Sequence, residues 1–304
     1  MPAPGSGALG SAIVWFRRDL RLTDHPALTA ALAGGSRVVA LYIHAPDEEA
    51  PWSPGAASRW WLHHSLAALA AALAARGARL TIAAGASLAT LLSVARASGA
   101  SSVHWTRRYE PALVARDAAV QAGLRAAGLV AESHAGNVLF EPGTIRNGQG
   151  EPFRVFTPFW RACHAKLAAV PRPEPAPGAI AAAPRAPRGL PLSALGLLPR
   201  SRWDHGLAAR WTPGESGALA RLAAFLDADV GAYAELRDRP DLAATSRLSP
   251  HLHFGELSPR QALTAAMRGI ASAATSRGTE HFLRELGWRE FAHHLLHALS
   301  LIHI

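Results

Sequence analysis

Short runs of apolar and β-branched residues alternate with longer Ala- and Leu-rich stretches through the first half of the chain. The short runs predict strands over 12–16, 37–43, 79–83 and 102–105. The stretches between them predict helices over 60–75, 88–97 and 112–127. Strands that alternate with helices form parallel sheets with crossover helices, so the fold class is α/β with an open parallel sheet. Such a sheet binds its ligands beyond the carboxyl ends of its strands.

A proline-rich segment separates this half of the chain from a helical one. Eight of the 22 prolines lie within 171–200. Proline breaks helices and removes backbone donors, which predicts a long connector that wraps or links and has no core of its own. After Trp211 the pattern predicts an all-α region with helices over 217–229, 259–267 and 279–299.

Two capping boxes support the helical interpretation. The segments Thr212-Pro213-Gly214-Glu215 and Ser258-Pro259-Arg260-Gln261 both place a hydroxyl three residues before an acid or amide, with Pro at the second position. That arrangement satisfies free N–H groups at the start of a helix. We therefore expect an α/β domain over 1–168, a linker over 169–210 and an all-α domain over 211–304.

Charge and cysteine content narrow the function. Lys and Arg number 31 against 22 for Asp and Glu, a formal charge of +9. This surplus suggests a polyanionic partner, although it can also serve solubility alone. Cys163 is the only cysteine, so no internal disulfide can form, and this favours a reducing compartment. We expect its side chain to be a small buried one. Residues 1–11 lack the layout of a signal peptide, and no run suits a membrane span. We expect a cytoplasmic monomer with no membrane partner.

Three motifs are set aside. The glycines of Gly5-Ser6-Gly7-Ala8-Leu9-Gly10 precede the first strand, whereas a dinucleotide fingerprint must follow a strand and open a helix. The pairs His293–His297 and His251–His253 have no further ligand at a recognised spacing. A lone His pair supplies too few ligands. We therefore expect a flexible N-terminal tail and no metal site.

Two segments offer polar groups suited to a ligand. Arg17, Arg18 and Asp19 follow the first strand, where pairing with one another or with the second domain is the simpler interpretation. Thr245-Ser246-Arg247-Leu248-Ser249 precedes Pro250 and offers three hydroxyls, a guanidinium and backbone amides. That cluster can cradle phosphate oxygens or, equally well, form a turn that caps a helix.

The segment 280–300 places an acid, an indole and a guanidinium close together. Helical spacing puts Glu285, Trp288 and Arg289 on one face. Such a face suits stacking on a base with a polar group nearby. The alternative is an i,i+4 salt bridge beside a tryptophan at a packing boundary.

Five collinear segments together resemble the DNA photolyases and cryptochromes. These segments are IVWFRRDLRLTDHPAL over 13–28, FTPF over 156–159, WTPGE over 211–215 with the run to RDRP at 237–240, TSRLSPHLHFGELSP over 245–259, and FLRELGWREF over 282–291. The resemblance covers about residues 12–299 and is strongest to class I cyclobutane pyrimidine dimer photolyases. It implies a Rossmann-like antenna domain, a long linker and a helical FAD domain.

The family resemblance also implies roles for individual residues. FAD would be bound by Tyr233, Thr245, Ser246, Arg247, Leu248, Ser249 and Phe282. DNA would be contacted by Arg237, Glu285, Trp288 and Arg289. In the implied reaction, a pyrimidine dimer in UV-damaged DNA is flipped out of the duplex, and photoexcited reduced FAD donates an electron that splits it. Glu285 would be the catalytic residue that hydrogen-bonds the dimer, and Trp288 would stack on it.

The sequence departs from the family pattern in two places. Folate-using photolyases carry an Asn-Glu pair where this chain has Ala112 and Leu113. A methenyltetrahydrofolate antenna is therefore not expected, and a deazaflavin, another flavin or no antenna pigment remain open. The family's helical domain continues further, and Ser300 to Ile304 no longer match. We expect a C-terminally truncated chain that binds FAD poorly.

Two functions other than dimer repair fit the same residues. One is a cryptochrome-type flavin photoreceptor without repair activity. The other is a nucleotide-binding α/β protein with a helical appendage and no photochemistry.

Overall fold

The computed structural model describes residues 10–270 and 272–299. The glycine motif at 5–10, except Gly10, and the segment 300–304 therefore lie outside the described residues. Within the described ranges the sheet has five parallel strands: β1 (Ser11–Phe16), β2 (Arg37–His44), β3 (Leu80–Ala84), β4 (Ala100–Thr106) and β5 (Val130–His134). Their order across the sheet is β3-β2-β1-β4-β5, which confirms the α/β fold class.

The central strands were predicted because they are buried on both faces. All six residues of β1 are buried, and its neighbours β2 and β4 pair with it in parallel. A strand covered on both faces has a continuous apolar sequence. The fifth strand, β5, was not predicted: its sequence VAESH is short and polar, and its first residue, Val130, is exposed.

Helices cover both faces of this sheet. They are α1 (Pro26–Ala33), α2 (Ala56–Ala74), α3 (Ser87–Ser98) and α4 (Pro111–Ala126). The sequence did not predict α1, which is only eight residues long. It begins at an unusual cap, because the His25 ring nitrogen Nδ1 accepts a hydrogen bond from the Leu28 N–H at 3.1 Å.

The second half of the chain is helical, as predicted. Its helices are α5 (Phe156–His164), α6 (His205–Arg210), α7 (Glu215–Ala224), α8 (Tyr233–Leu236), α9 (Ser249–Phe254), α10 (Pro259–Arg268) and α11 (Ala273–Ala298). Although α5 lies within the segment expected to be the α/β domain, it packs in the core of this helical half. Cys163 of α5 is buried there as predicted, and burial raises the pKa of its thiol to about 12.

The two capping boxes have different outcomes. The Ser258 box is present, with its hydroxyl accepting from the Gln261 N–H at 3.0 Å. The Thr212 box is wrong: α7 begins after Gly214, without a side-chain cap. The Glu215 carboxylate instead accepts from the Leu22 and Thr23 N–H groups at 2.8 and 2.9 Å. Glu215 thus forms a tertiary contact with the α/β half and not the predicted hydrogen bond within its own capping box.

The proline-rich segment packs along the sheet. Ala181 O accepts from the Val38 N–H at 2.7 Å, and the Ala183 N–H donates to Val38 O at 3.0 Å. Ile180 and Leu197 are buried in the sheet's own hydrophobic core. The segment thus packs against the α/β half. None of the helices in the described residues has the length and apolarity needed to span a bilayer.

Asp24 joins the two halves of the chain from the α/β side. It is fully buried, forms a 2.6 Å ion pair with Arg260, and accepts a hydrogen bond from the Ser258 hydroxyl. Its φ of 55° is left-handed, a conformation that Asp tolerates better than most residues. Nearby, Gly255 has a φ of +66°, and a Cβ there would lie 2.1 Å from Arg18 O. Close backbone contact at this joint therefore requires glycine.

A second fully buried carboxylate, Glu256, joins the halves from the helical side. Its Oε1 accepts from the Trp61 indole N–H at 2.9 Å, from the Gly214 N–H at 2.7 Å and from the Ser65 hydroxyl. The other oxygen, Oε2, forms a hydrogen bond with His251 Nδ1. Trp61 and Ser65 belong to α2, so this one side chain links a sheet-covering helix to the helical half.

We expect Glu256→Ala to lower the free energy of unfolding by about 3–5 kcal/mol, because several buried donors would lose their acceptor. Urea denaturation measures this change. Glu151→Ala, at an exposed position, is the matched control and should change stability by less than about 0.5 kcal/mol. Equal effects of the two substitutions would contradict the role of Glu256 as a joint.

Candidate functional site

The arginines after β1 form their ion pairs with other elements of the α/β half. Arg17 forms a 2.7 Å ion pair with Asp117 of α4, and Arg18 forms one of 2.8 Å with Glu49. Arg18 also reaches the helical half, where its guanidinium lies 3.4 Å from His253 Nδ1. In the part of the chain that the structure describes, none of the three side chains pairs with another side chain of the three, so that expectation is wrong. Of their side-chain hydrogen bonds and ion pairs there, only the one from Arg18 to His253 reaches the second half.

Asp19 is held by a histidine of the same half. Its carboxylate lies 3.1 Å from the His25 ring, and it accepts a hydrogen bond from the Arg17 backbone N–H at 2.6 Å. Burial opposes ionisation of Asp19, but the His25 ring and the Arg17 N–H together hold the pKa of this carboxyl well below its usual range. Asp19 is thus a buried structural anion and not a ligand of the site described below.

The loop before α9 and the first residue of that helix present polar groups that could bind a ligand. The hydroxyls of Thr245, Ser246 and Ser249 have no hydrogen-bond partner among the residues that the structure describes. Arg247 has a left-handed φ of 54°, and its guanidinium lies 4.3 Å from the centre of the Trp211 ring. Arg221 stabilises the loop by donating a hydrogen bond to Ser246 O at 3.0 Å. Its hydroxyls thus remain available to a ligand.

An aromatic wall faces this loop. Tyr233 and Phe282 are both buried, and their ring centres are 6.3 Å apart in an edge-to-face arrangement. Phe225 packs behind them at 5.2 Å from Tyr233 and 5.0 Å from Phe282. Aromatic rings held in this way keep their positions when a planar ligand binds.

The loop and the aromatic wall enclose a cavity of about 670 Å³, which we call the main cavity. Its lining includes every residue that the sequence assigned to FAD, namely Tyr233, Thr245, Ser246, Arg247, Leu248, Ser249 and Phe282. It also includes Arg237, Glu285 and Arg289 of the expected DNA-binding set. Glu285 accepts a hydrogen bond from Arg237, so these two side chains form an ion pair.

Trp288 is not among the residues that line the main cavity. Its indole stacks on Phe156 with 3.6 Å between ring centres and a 9° interplanar angle, and 45% of the residue is exposed. Successive helical residues differ by about 100° in direction, so Trp288 and Arg289 cannot point to the same place. The predicted common face is therefore shared by Glu285 and Arg289 alone.

The α/β half supplies cavity residues that the sequence analysis missed. Arg108, Tyr109 and Glu110 follow β4, and Asn137 follows β5; all four line the main cavity. Arg289 donates a 2.7 Å hydrogen bond to Asn137 O, which closes the cavity between the two halves. For Arg108, Tyr109 and Glu110 the available signal was their position just after the predicted strand at 102–105, at the carboxyl edge of the sheet. Asn137 had no such signal, because β5 was not predicted.

The main cavity is electropositive. Five arginines but only two carboxylates line it. Burial lowers the pKa of His253 to about 4, with Arg18 adding to the effect. Burial likewise lowers the pKa of His293 to about 4, with Arg289 adding to it. Both imidazoles are therefore neutral at pH 7, and the arginines set the sign of the field that an anionic ligand meets.

A second cavity of about 420 Å³ opens at the carboxyl ends of β1 and β2. Trp15, Tyr42 and Trp52 line it, as do Ala112 and Leu113. Arg18, Arg108, Glu110 and His253 line both this cavity and the main one. The residues that depart from the folate pattern thus lie in a cavity that adjoins the main one.

Glu290 is buried beside the main cavity with one oxygen unused. Oε2 accepts from the Leu139 and Phe140 N–H groups at 2.7 and 3.1 Å. Oε1 has no hydrogen bond in the described part of the chain and lies 3.5 Å from the Arg289 guanidinium. Burial raises the pKa of this carboxyl to about 7, an effect that Arg289 only partly offsets.

The chain is similar to known proteins over nearly its whole length. The DNA photolyase family model matches residues 12–178. A deoxyribodipyrimidine photo-lyase of Agrobacterium fabrum (strain C58 / ATCC 33970) is 42% identical over 285 residues, which are 93% of this chain and 58% of that protein. Cryptochrome-1 of Arabidopsis thaliana is 34% identical over 307 residues, covering 96% of this chain and 44% of that protein.

A solved structure gives the same result. The crystal structure of a bacterial class III photolyase from Agrobacterium tumefaciens matches with a TM-score of 0.89 and 41% identity, over 96% of this chain and 60% of that one. The sequence segments suggested class I, whereas this similar structure is described as class III. The comparisons thus show the family, and the class printed for this structure differs from the one that the sequence segments suggested.

The protein has an α/β half and a helical half. A cavity lined by arginines and aromatic rings lies between these two halves. By its matches, the chain belongs to the DNA photolyase and cryptochrome family. It spans 58% of the photo-lyase and 44% of the cryptochrome named above.

We expect Glu290→Gln to remove a pH dependence of stability. The pKa of Glu290 is about 7 in the folded protein, against an ordinary 4.5. The unfolded chain therefore releases this proton first, and stability falls as pH rises from about 4.5 through 7. The difference in unfolding free energy between wild type and variant should drop by about 2.5 kcal/mol between pH 5 and pH 8.

Urea denaturation of both proteins across that pH range measures the difference. Titrating histidines are common to both and cancel in the subtraction. A difference that stays constant with pH would show that Glu290 is ionised throughout.

Proposed function

We propose that this protein takes part in light-driven DNA repair, with FAD in the main cavity and cyclobutane pyrimidine dimers as substrate. The observation that carries the proposal is that all seven residues expected to bind FAD line one cavity with Arg237, Glu285 and Arg289. The deoxyribodipyrimidine photo-lyase of Agrobacterium fabrum, at 42% identity, supports the same activity.

The residues present fit FAD. The hydroxyls of Thr245, Ser246 and Ser249, with the Arg247 guanidinium, suit the oxygens of a diphosphate. Tyr233 and Phe282 offer an apolar wall to a ring system. A volume of about 670 Å³ is within the range of cofactor sites. When bound, FAD would supply the light-driven electron transfer, while the chain binds and orients it.

In this proposal Arg237 and Glu285 recognise the damaged DNA. They form an ion pair with side chains 26% and 33% exposed, so both are accessible to a flipped nucleotide. Arg237 would meet phosphate, and Glu285 would accept a hydrogen bond from an N–H of the dimer. Arg289, held by Asn137 O, would keep polar groups of the cavity in position. The +9 charge of the chain suits the same partner.

The second cavity is our candidate site for an antenna chromophore. Its aromatic lining by Trp15, Tyr42 and Trp52 suits a planar ring. Ala112 and Leu113 place apolar groups there, which favours a deazaflavin or another flavin over methenyltetrahydrofolate.

The alternative is a cryptochrome-type flavin photoreceptor without repair activity. The 34% identity to Cryptochrome-1 of Arabidopsis thaliana favours it. Both functions use the same FAD cavity, so they differ only in the fate of the excited flavin.

One experiment separates the two functions. The chain is supplied with excess FAD and a reductant, mixed with UV-irradiated DNA, and kept in light or in darkness. Repair predicts a light-dependent loss of dimers. Bound, reduced FAD with no loss of dimers would support the photoreceptor instead. Because the chain is expected to bind FAD poorly, FAD binding is measured up to saturating concentrations. No binding even there would overturn both functions and support a nucleotide-binding protein without photochemistry.

We expect Arg247→Gln to weaken FAD binding about tenfold or more, because a hydrogen bond to a charged group contributes about 1.5–3 kcal/mol. Riboflavin, which lacks the diphosphate, should bind both proteins equally. Fluorescence titration measures both affinities, and Arg154→Gln, at an exposed position outside the cavity, is the control. An equal loss for FAD and riboflavin would show that Arg247 acts through its packing on Trp211.

We expect Trp288→Ala to weaken binding to dimer-containing DNA by about 1–3 kcal/mol, and binding to undamaged DNA by less. One face of the indole covers Phe156, which leaves the other face for a flipped base. Trp203→Ala is a matched control, because Trp203 is 43% exposed but, unlike Trp288, does not belong to α11, the helix that carries Glu285. A gel-shift titration measures the affinities. Equal loss on both DNAs would exclude stacking on the dimer.

A further inference from the structure

Three metal-ligating side chains meet at one edge of the sheet, away from the main cavity. In the pairing of β4 with β5, His104 lies opposite Glu132, and Thr106 lies opposite His134. Side chains alternate between the two faces of a sheet. His104 and Glu132 therefore share a face, and His134, two residues beyond Glu132, shares it too.

The three ligand atoms are spaced as a metal ion would require. His104 Nδ1 and His134 Nε2 are 3.2 Å apart. Glu132 Oε2 is 3.6 Å from His104 Nδ1 and 4.0 Å from His134 Nε2. A triangle with these sides has its centre about 2.1 Å from each corner, which matches Zn–N and Zn–O bond lengths of about 2.0–2.2 Å.

We propose that His104, Glu132 and His134 form a site for a divalent transition-metal ion, with Zn²⁺ as the best fit. Two imidazoles and one carboxylate are a ligand set that zinc uses with a fourth, open position. Glu132 is 52% exposed, so the ion can enter from solvent and keep a water ligand. The sequence analysis expected no metal site, but that expectation was based on the pairs His293–His297 and His251–His253 and not on these residues.

The surroundings of His104 support coordination through Nδ1. Its other ring nitrogen, Nε2, lies 3.0 Å from the Ser102 hydroxyl, two residues earlier on the same strand. A hydrogen bond from the second nitrogen fixes the tautomer and orientation of a metal-binding imidazole.

Hydrogen bonding alone does not account for the cluster. A bond between the two imidazoles explains their 3.2 Å separation. At 3.6 and 4.0 Å, however, the Glu132 carboxylate is too far from either ring for a hydrogen bond. A cation between the three atoms satisfies all of them together.

The test is a titration of the 304-residue chain with Zn²⁺ and, separately, with Co²⁺. Calorimetry should show one Zn²⁺ per chain, and bound Co²⁺ should give the visible absorption of a low-coordinate site. Glu132→Gln should weaken binding at least tenfold and abolish that absorption. Its position is half exposed, so the variant should fold; circular dichroism checks this. Ser102→Ala should weaken binding about 10- to 100-fold.

His205→Gln is the control, because His205 is exposed and lies far along the chain from the cluster. It should leave both the stoichiometry and the Co²⁺ spectrum unchanged. Equal affinities of wild type, Glu132→Gln and His205→Gln would mean binding by scattered surface histidines and would overturn the site. So would the absence of one-to-one binding by the wild-type chain. Neither outcome depends on flavin binding or DNA repair, so the site and the proposed function fail separately.

Discussion

Buried carboxylates at the joint between the two halves are the constraint on which the candidate site depends. Asp24 and Glu256 are both fully buried, and each accepts hydrogen bonds from the opposite half. Buried carboxylates require fixed donors, so they tolerate little sliding of one half against the other. The main cavity takes its walls from both halves, and its shape therefore follows from this joint.

Fixed partners also explain how several arginines can line one cavity. Arg18 is held by Glu49 and Arg289 by Asn137 O, so each guanidinium is fixed before a ligand arrives. His253 and His293 stay neutral beside them, which avoids further repulsion between positive groups. A ligand with a diphosphate would replace solvent around preorganised donors and would cost the chain little reordering.

The sequence predicted what local patterns determine, and missed what depends on contacts distant along the chain. The strand at 12–16 was found because both of its faces are buried, and the Ser258 cap because its partner is three residues away. The cap at Thr212 failed since Glu215 binds Leu22 and Thr23 instead. The FAD set came from family resemblance, whereas the contributions of Arg108 and Asn137 need the strand order to be known.

The proposed metal cluster illustrates how a missed strand hides a site. In the sequence, Glu132 and His134 are an acid and a histidine two residues apart. In a loop or a helix this spacing does not predict that the two side chains lie together. In a strand the same spacing puts both on one face. The register of β5 against β4 then brings in His104, 28 positions earlier than Glu132. Because β5 is a short edge strand with polar residues, the sequence pattern did not predict it. Without the strand, its register against β4 and the resulting group of metal-ligating side chains could not be predicted either.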